Sequence, residues 1–268
     1  MSEERQYGSG EAEEAVLNRL RLLEGIFDPA TTRRLETIGV AEGWKCLDVG
    51  AGAGSVAQWL SERTGPGGKV VATDINTKYL QQVYGPNIEI RRHDITRDNL
   101  ETEYYDLVHC RTVLMWLSEP EKALFRMAEA VRPGGWLMIE ENDYGSILST
   151  DLTTPSAATF TSTWKAGIDF LRAKKIADPY FGRQVRSLLE RLGFVNITQE
   201  GWTQMCRGGE PMARFDMAAA HMAAKPMMDA GLLEQDKFES IQRFLMDQTF
   251  YYPGLTMFSV WGRRPMKK

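Results

Sequence analysis

The chain has 268 residues and is 43% hydrophobic, which is enough to bury a substantial core in one domain. A formal net charge of -4 provides no overall attraction to nucleic acid or to an anionic membrane, so neither is expected as a partner. The three cysteines are far apart and show no Cys-x-x-Cys spacing, which argues against a disulfide framework and against a zinc site.

The first predicted element is an amphipathic helix. Apolar residues recur near helical spacing from 11 to 27, Asp28-Pro29 is expected to end that helix, and a second short helix is expected over 31 to 38. The preceding residues are acidic and polar, unlike a signal peptide, and no later apolar run is long enough to span a bilayer. The expected location is therefore the cytoplasm.

Strands and helices then alternate. Hydrophobic patterning and turn residues predict strands at 45–49, 69–73, 87–92, 105–110 and 136–141, separated by helices at 55–63, 77–84 and 120–131 and by an "RPGG" turn. A helical insertion at 145–176 interrupts the order, helix 183–192 and strand 194–199 resume it, and helical residues 209–248 precede a last strand at 255–265. This pattern predicts an α/β fold with a parallel sheet and helices on both faces.

A glycine-rich loop joins the first strand to the next helix. The stretch "DVGAGAG" (48–54) places Gly50, Gly52 and Gly54 where a ligand can approach the main chain and where a helix begins with free N–H groups. Asp74 and Asp94 end the next two strands, on the edge where open α/β sheets bind ligands. A turn without a ligand explains the glycines alone, and either aspartate could cap a helix instead.

The spacing of the glycines helps to choose between two adenosine cofactors. NAD-binding loops read G-x-G-x-x-G, whereas this loop reads G-x-G-x-G. Asp48 would repel a pyrophosphate but would suit a ligand that carries an ammonium and a sulfonium. The loop therefore favours S-adenosylmethionine over NAD.

The motifs "CLDVGAGAGS", "VVATDIN", "RRHDIT", "YDLVHCRTVLMWL", "AVRPGGWLMIEEN" and "MFSVWGRRP" together resemble the class I S-adenosylmethionine-dependent methyltransferases that modify small molecules. The resemblance implies a Rossmann-like, seven-stranded, mostly parallel sheet with an antiparallel last strand and a helical cap. It also implies one domain over 41–268, with cap insertions at about 145–176 and 209–248, preceded by a helical lid at 1–40. By position, it implies cofactor contacts from Tyr7 in the lid, Asp48, Gly50, Ala51 and Gly52 at the amino-acid end, Asp74 at the ribose, Ile75, Asp94 and Ile95 at the adenine, and Arg111.

The methyl acceptor is less well defined by the sequence. Methyl transfer needs alignment and exclusion of water, and it needs a base only if the acceptor loses a proton. The catalytic residue is thus unknown, with Asp143, Tyr144 and His221 as candidates. The motif N/D-P-P-Y/F of DNA and protein amide methyltransferases is absent after the fourth strand, and no metal is expected because clustered Asp/Asn ligands are absent there.

Methionines crowd the segment after the sixth strand. Methionine adapts to irregular apolar shapes, so Met222 and Met228, with Trp116, are candidates for an acceptor pocket. A methionine-rich core or a homodimer interface explains the same residues. The predicted function is methyl transfer from S-adenosylmethionine to a small, largely apolar or aromatic molecule. The alternatives are a catalytically silent protein that binds an adenosyl ligand, and an NAD-dependent oxidoreductase.

Overall fold

A computed structural model describes residues 10–148 and 155–267 of the chain. The strands are β1 Lys45–Val49, β2 Lys69–Asp74, β3 Ile88–Arg92, β4 Tyr105–Arg111, β5 Val131–Asp143, β6 Val195–Trp202, β7 Met205–Arg207, β8 Tyr251–Pro253 and β9 Thr256–Arg263. Seven of them form one sheet in the order β3-β2-β1-β4-β5-β9-β6, and β7 pairs with β8. Strand β9 runs antiparallel to β5 and β6, whereas β1 to β5 are parallel. The predicted seven-stranded fold is confirmed.

The helices cover both faces of the sheet and its carboxyl edge. They are α1 Gly10–Ile38, α2 Ser55–Thr64, α3 Pro120–Ala130, α4 Pro155–Ala173, α5 Val185–Arg191, α6 Pro211–Asp229 and α7 Gln235–Met246. Helices α4, α6 and α7 pack against one another and α6 also packs against α1, so the two predicted insertions form one helical layer. No helix in residues 10–148 and 155–267 is both long and apolar enough to cross a membrane.

Helix α1 differs from the sequence prediction, because it continues through Pro29 where a break was expected. Proline removes one backbone donor and normally ends or kinks a helix. Here contacts with the sheet hold the chain on both sides of Pro29: Asp28 accepts a hydrogen bond from Arg111, and Thr31 donates to Glu140. Tertiary contacts therefore override the local signal, and the two predicted helices are one.

Other corrections concern short segments. The helix predicted at 77–84 is a single 3-10 turn, Thr77–Leu80, and the helical region predicted at 209–248 is two helices joined by a short loop. Strand β5 begins at Val131, so the predicted "RPGG" turn lies inside an irregular start of that strand. The small β7–β8 sheet was not predicted, since three-residue strands give no periodic signal.

The core lies on both sides of the central strands. Cys46, Leu47 and Val49 in β1 are all buried, as are Leu107, Val108 and Cys110 in β4, and neighbouring residues point to opposite faces of the sheet. The parallel strands therefore bury both faces, and their polar residues concentrate near the carboxyl ends. This arrangement places the candidate site residues at one edge of the sheet.

Candidate functional site

The glycine loop adopts a backbone that side chains would oppose. Gly50, Gly52 and Gly54 all have positive φ angles, of 68°, 62° and 92°. A Cβ on Gly50 would lie 2.2 Å from Cγ2 of Val113, and one on Gly54 would lie 2.1 Å from Cγ2 of Val83. The loop thus packs tightly against the segments that follow β4 and β2, which leaves its backbone close to the edge of the sheet.

Comparison of Gly50→Ala with Gly43→Ala separates the cost of overpacking from the cost of backbone strain. Gly43 has a positive φ as well, but nothing lies within 4 Å of its Cβ position. We expect Gly43→Ala to cost about 1 kcal/mol of unfolding free energy through strain alone. Gly50→Ala should cost about 2 to 4 kcal/mol, because overpacking against Val113 is added. Urea unfolding of both variants measures the difference, and equal losses would show that Val113 moves aside freely.

Asp74 lies directly beside the loop. Its Oδ2 accepts a hydrogen bond from the backbone N–H of Gly52 at 3.0 Å, and its Oδ1 accepts one from Asn76 at 2.9 Å. Burial raises the pKa of Asp74, and these N–H donors oppose that rise. Ile75 follows with 52% of its surface exposed, so an apolar side chain stands open next to the carboxylate. Neither residue lines a cavity, and their contact with an adenosine stays a prediction.

Asp94 and Ile95 lie farther from the loop. Oδ1 of Asp94 accepts from the N–H of Thr96 at 2.9 Å and from its hydroxyl at 2.6 Å, so the carboxylate stabilises the turn after β3. It does not cap a helix, because β4 is the next regular element in the described residues. The side chain of Ile95 is buried in the core, with 5% exposed. A contact of either residue with an adenine therefore stays a prediction.

A cavity with an empty volume of about 350 Å³, part of it open to solvent, lies against the loop. We call it the cofactor cavity, after the sequence prediction for the residues that line it. Its lining includes five predicted cofactor residues, namely Asp48, Gly50, Ala51, Gly52 and Arg111. Helix α1 covers it with Leu20, Leu23 and Glu24.

Oε1 of Glu24 accepts a hydrogen bond from the N–H of Ser55 at 3.1 Å, so a carboxylate caps the first turn of α2. Sequence patterning assigned α1 only an apolar face and missed this contact.

Asp48 is part of a buried charged network. Nδ1 of His109 lies 2.7 Å from Oδ1 of Asp48, and Nε2 lies 3.3 Å from Oε2 of Glu140. Burial lowers the pKa of His109, but the two carboxylates outweigh it and raise the pKa to about 9. His109 is therefore an imidazolium at neutral pH and donates to both carboxylates. In the sequence, the only indication of this role is that His109 is a polar residue in the otherwise apolar stretch "LVHC" of a predicted strand.

The network continues into α1. Thr31 and Ser259 donate to Glu140 at 2.6 Å each, and Arg34 lies 3.3 Å from the same carboxylate. Burial raises the pKa of Glu140, but His109 and the neighbouring donors overcome this and lower it to about 2. Arg111 donates to Thr31 at 2.9 Å and to Asp28 at 2.8 Å. Arg111 therefore lines the cofactor cavity and also anchors the helix that covers it.

The loop after β4 is held by a second buried carboxylate. Oε1 of Glu141 accepts from the N–H groups of Val113 at 3.0 Å and Leu114 at 2.6 Å. Burial raises the pKa of Glu141 to about 8 despite these donors. Thr112, which lines the cofactor cavity, has a φ of 55°, an unusual value for a β-branched residue. Strained residues cluster at functional sites, so this loop belongs to the candidate site.

A larger, apolar cavity lies between the helical cap and the sheet edge, with an empty volume of about 780 Å³ that includes its opening to solvent. Its walls come from the loop after β4, the end of β5, and helices α4, α6 and α7. We call it the acceptor cavity. It brings together Trp116, Tyr144 and Met222 among the predicted residues. Met228 packs in a small cluster of the cap beside this cavity and does not line it.

Two predicted catalytic candidates lie elsewhere. Asp143 is buried and forms an ion pair with Arg183, and it also accepts from the N–H of Gly145 at 2.7 Å, so its carboxylate is a structural anchor. His221 is on the exposed face of α6, where Nδ1 lies 2.8 Å from the carbonyl of Met217. Neither residue lines either cavity. Tyr7 lies outside the described residues. Periodicity places a residue on an element but does not fix which contacts its side chain makes.

Residues 47–139 match a family model described as a methyltransferase domain. Over 115 residues the chain is 31% identical to a ubiquinone/menaquinone biosynthesis C-methyltransferase from Hahella chejuensis, covering 40% of this chain and 46% of that protein. Over 160 residues it is 26% identical to a methyltransferase of Strobilurus tenacellus, str2, covering 58% of this chain and 55% of that protein. The chain therefore spans about half the length of the curated relatives it matches.

Solved structures share the fold. A crystal structure of a proposed methyltransferase from Bacillus halodurans superposes with a TM-score of 0.57 at 15% identity, covering 87% of this chain and 98% of that one. A phosphoethanolamine N-methyltransferase of Haemonchus contortus, solved with S-adenosyl-L-methionine, gives 0.55 at 15% identity, covering 92% of this chain and 57% of that one. At these identities the likeness concerns the fold.

Proposed function

The chain carries a class I S-adenosylmethionine-dependent methyltransferase domain, and from this premise we propose that the protein methylates a small, largely apolar or aromatic molecule. The observation that carries the proposal is the pair of cavities at the carboxyl edge of the sheet. One lies on the glycine loop and its lining includes Glu24, Asp48, His109 and Arg111, and the other is lined almost only by apolar side chains.

The residues beside the loop fit the cofactor. Gly52 leaves space at the cavity that a Cβ would fill, since a Cβ on Gly52 would lie 3.1 Å from Leu20, which lines the cavity. Asp48 and Glu24 line the cavity, and Asp74, beside the loop, can accept hydrogen bonds from ribose hydroxyls. These carboxylates suit an ammonium and a sulfonium. When bound, S-adenosylmethionine supplies an electrophilic methyl group.

The acceptor cavity supports an apolar or aromatic substrate. Trp116, Trp164 and Phe238 line it, together with small residues such as Gly167 and Ala220 that leave room between the helices. Burial of apolar surface contributes about 25 cal/mol per Å², so such walls select by shape and apolarity. The chain's own part in the reaction is to orient the acceptor and exclude water.

The amino-terminal segment belongs to the same proposal. Leu20, Leu23 and Glu24 of α1 cover the cofactor cavity, so residues 1–40 would act as a lid that closes the site. Tyr7 would contact the cofactor as part of this lid. A catalytically silent adenosyl-binding protein would use the first cavity alone, and turnover distinguishes the two functions. No observation favours an NAD-dependent oxidoreductase over the methyltransferase.

Substitution of Asp74 tests the cofactor site. We expect Asp74→Ala to weaken binding of S-adenosylhomocysteine by about 1 to 3 kcal/mol, because ribose hydroxyls lose a charged partner. Isothermal titration calorimetry measures this. Asp169→Ala is the matched control, since it removes the same charge from an exposed pair with Lys165 on α4. Binding of NAD in place of the adenosyl ligand, or unchanged affinity in Asp74→Ala, would contradict the proposal.

A further inference from the structure

A polar cluster is buried beside the acceptor cavity. Its members are each less than one-tenth exposed and come from β5, the turn that follows β5, α6 and β8: Glu141, Asn142, Tyr144, Asp216 and Tyr252. Buried polar groups in proteins are almost always hydrogen bonded, so the unpaired atoms of such a cluster need an explanation. None of the roles described above uses Asp216 or Tyr252.

Only part of the cluster is satisfied. The hydroxyl of Tyr252 donates to Oδ2 of Asp216 at 2.8 Å, and Nδ2 of Asn142 donates to the hydroxyl of Tyr144 at 3.3 Å. Within residues 10–148 and 155–267, Oδ1 of Asp216, Oδ1 of Asn142 and Oε2 of Glu141 have no hydrogen-bond partner. An amide oxygen can only accept, and so can the oxygens of an ionised carboxylate, whereas Glu141, with a pKa of about 8, carries a proton at neutral pH. Asn142 and an ionised Asp216 therefore offer acceptors to a ligand that brings a donor.

The cluster lies next to both cavities. Tyr144 lines the acceptor cavity, and so do Ala219 and Ala220, which stand three and four residues after Asp216 on the same face of α6. On the other side, Arg19 of α1 lies 5.9 Å over the ring of Phe215, and the next residue of α1, Leu20, lines the cofactor cavity. Asp216 and Asn142 line neither cavity themselves, so the reacting end of an acceptor has to pass Tyr144, which lines the acceptor cavity, to reach them.

We propose that Asp216, assisted by Asn142, binds a hydroxyl group of the acceptor and takes its proton. The inference rests on the proposed function and names the acceptor class as apolar molecules with a phenolic or enolic hydroxyl. The O–H bond of the acceptor breaks, its electron pair stays on the acceptor, and a new O–H bond forms at Oδ1 of Asp216. The hydrogen bond from Tyr252 holds Oδ2 and so fixes the direction in which Oδ1 faces.

The charge state of Asp216 agrees with this role. Burial raises the pKa of Asp216 to about 7, while the hydrogen bond from Tyr252 opposes the rise. The pKa of a phenol is about 10, roughly three units above that of Asp216. The pKa of an aliphatic alcohol is far higher, so a carboxylate removes its proton much less readily. Tyr144 just after β5, Cys206 of β7 and Tyr252 of β8 interact electrostatically with Asp216, and Tyr144 in turn interacts with Arg19 of α1 and Glu141 of β5. Among these, Glu141 is the other carboxyl with a raised pKa, about 8.

Binding of two matched probes tests the inference without turnover. With the protein saturated by S-adenosylhomocysteine, the fluorescence of Trp116 and Trp164 reports binding of 4-phenylphenol and of its methyl ether, 4-methoxybiphenyl. At pH 8 we expect the phenol to bind about 10-fold more tightly, the scale of a hydrogen bond to a charged group. The preference should disappear as the pH falls through about 7, because a protonated Asp216 accepts more weakly.

Variants assign the preference to Asp216. In Asp216→Asn the side chain keeps its shape, but the phenol preference and its pH dependence should be lost while affinity for S-adenosylhomocysteine is unchanged. Asp229→Asn, an exposed change on the same helix, should behave as wild type. Tyr252→Phe removes the donor that lowers the pKa of Asp216, so the pH midpoint of the preference should move upward. This second variant gives a result even if Asp216→Asn folds poorly.

The possible failures are distinct. Equal binding of phenol and ether at every pH, no binding of the phenol, or a preference that survives in Asp216→Asn would overturn the role of Asp216. Wild-type protein that fails to bind S-adenosylhomocysteine would instead overturn the proposed function.

Discussion

Replacement of His109 by phenylalanine should lower the free energy of unfolding at pH 7 by about 3 to 5 kcal/mol, the cost of leaving buried charges without a partner. His109 is fully buried between Asp48 and Glu140, at 2.7 and 3.3 Å. Phenylalanine preserves much of the shape but removes both N–H donors. His109→Gln should lose less, because its neutral amide can still donate to one carboxylate.

The same network predicts a pH dependence with a definite sign. The pKa of His109 is about 9 in the folded protein, above the ordinary value of 6.5. Its contribution is therefore fully present below about pH 6.5 and is lost as the pH rises through 9. The difference in unfolding free energy between wild type and His109→Phe should narrow over that range. Glu141 and Asp216 also titrate with raised pKa values, but they are common to both proteins and cancel in the difference.

Urea unfolding at pH 6, 7.5 and 9 measures both effects. His221→Phe is the matched control, since His221 is exposed on α6 and its loss should change stability by about 0.5 kcal/mol or less. A stability of His109→Phe close to that of wild type at pH 6 would show that the buried charges are satisfied in another way. A difference that does not vary with pH would show that His109 is uncharged.

Filling the acceptor cavity should abolish turnover without harm to the fold. Gly167 of α4 lines this cavity, and the nearest atom to its Cβ position, Sδ of Met227, is 3.7 Å away. A leucine at position 167 has room for its Cβ, and the rest of its side chain extends into the acceptor cavity. We expect Gly167→Leu to reduce kcat/KM by about 100-fold or more, a loss of close to 3 kcal/mol in transition-state binding. Leucine is also a better helix former than glycine by about 1 kcal/mol, so the melting temperature should hold or rise.

The adjacent residue provides the control. Ala166 is exposed on the same helix and does not line the cavity, so Ala166→Leu should turn over like wild type. Calorimetry with S-adenosylhomocysteine should give equal affinities for wild type and both variants, because the cofactor cavity is separate. Turnover is measured with the best acceptor from a screen of apolar aromatic molecules on wild type. Full activity in Gly167→Leu would show that the acceptor binds elsewhere.

Local sequence patterns were sufficient to predict the architecture of the fold. Short apolar runs that alternate with helix-length segments predict a parallel sheet, and Asp48, Asp74 and the glycines mark its carboxyl edge because strand ends are visible in the sequence. The structure has these residues where the pattern placed them, with Asp74 hydrogen bonded to the loop itself. The resemblance to methyltransferases and the expected cofactor followed from the same short motifs, since these motifs consist of residues that are near one another in the chain.

The contacts that build the site could not be read in this way. Thr31 and Glu140 are 109 residues apart, Asp143 and Arg183 are 40 apart, and no periodicity links such pairs. Only the packed structure shows that α1 runs through Pro29, that Asp143 is an anchor, and that Asp216 has an unpaired oxygen within the described residues. The sequence determines which element a residue occupies, because that depends on neighbours within a few positions. Partners, burial and charge state depend on distant segments, so the tertiary structure alone decided them.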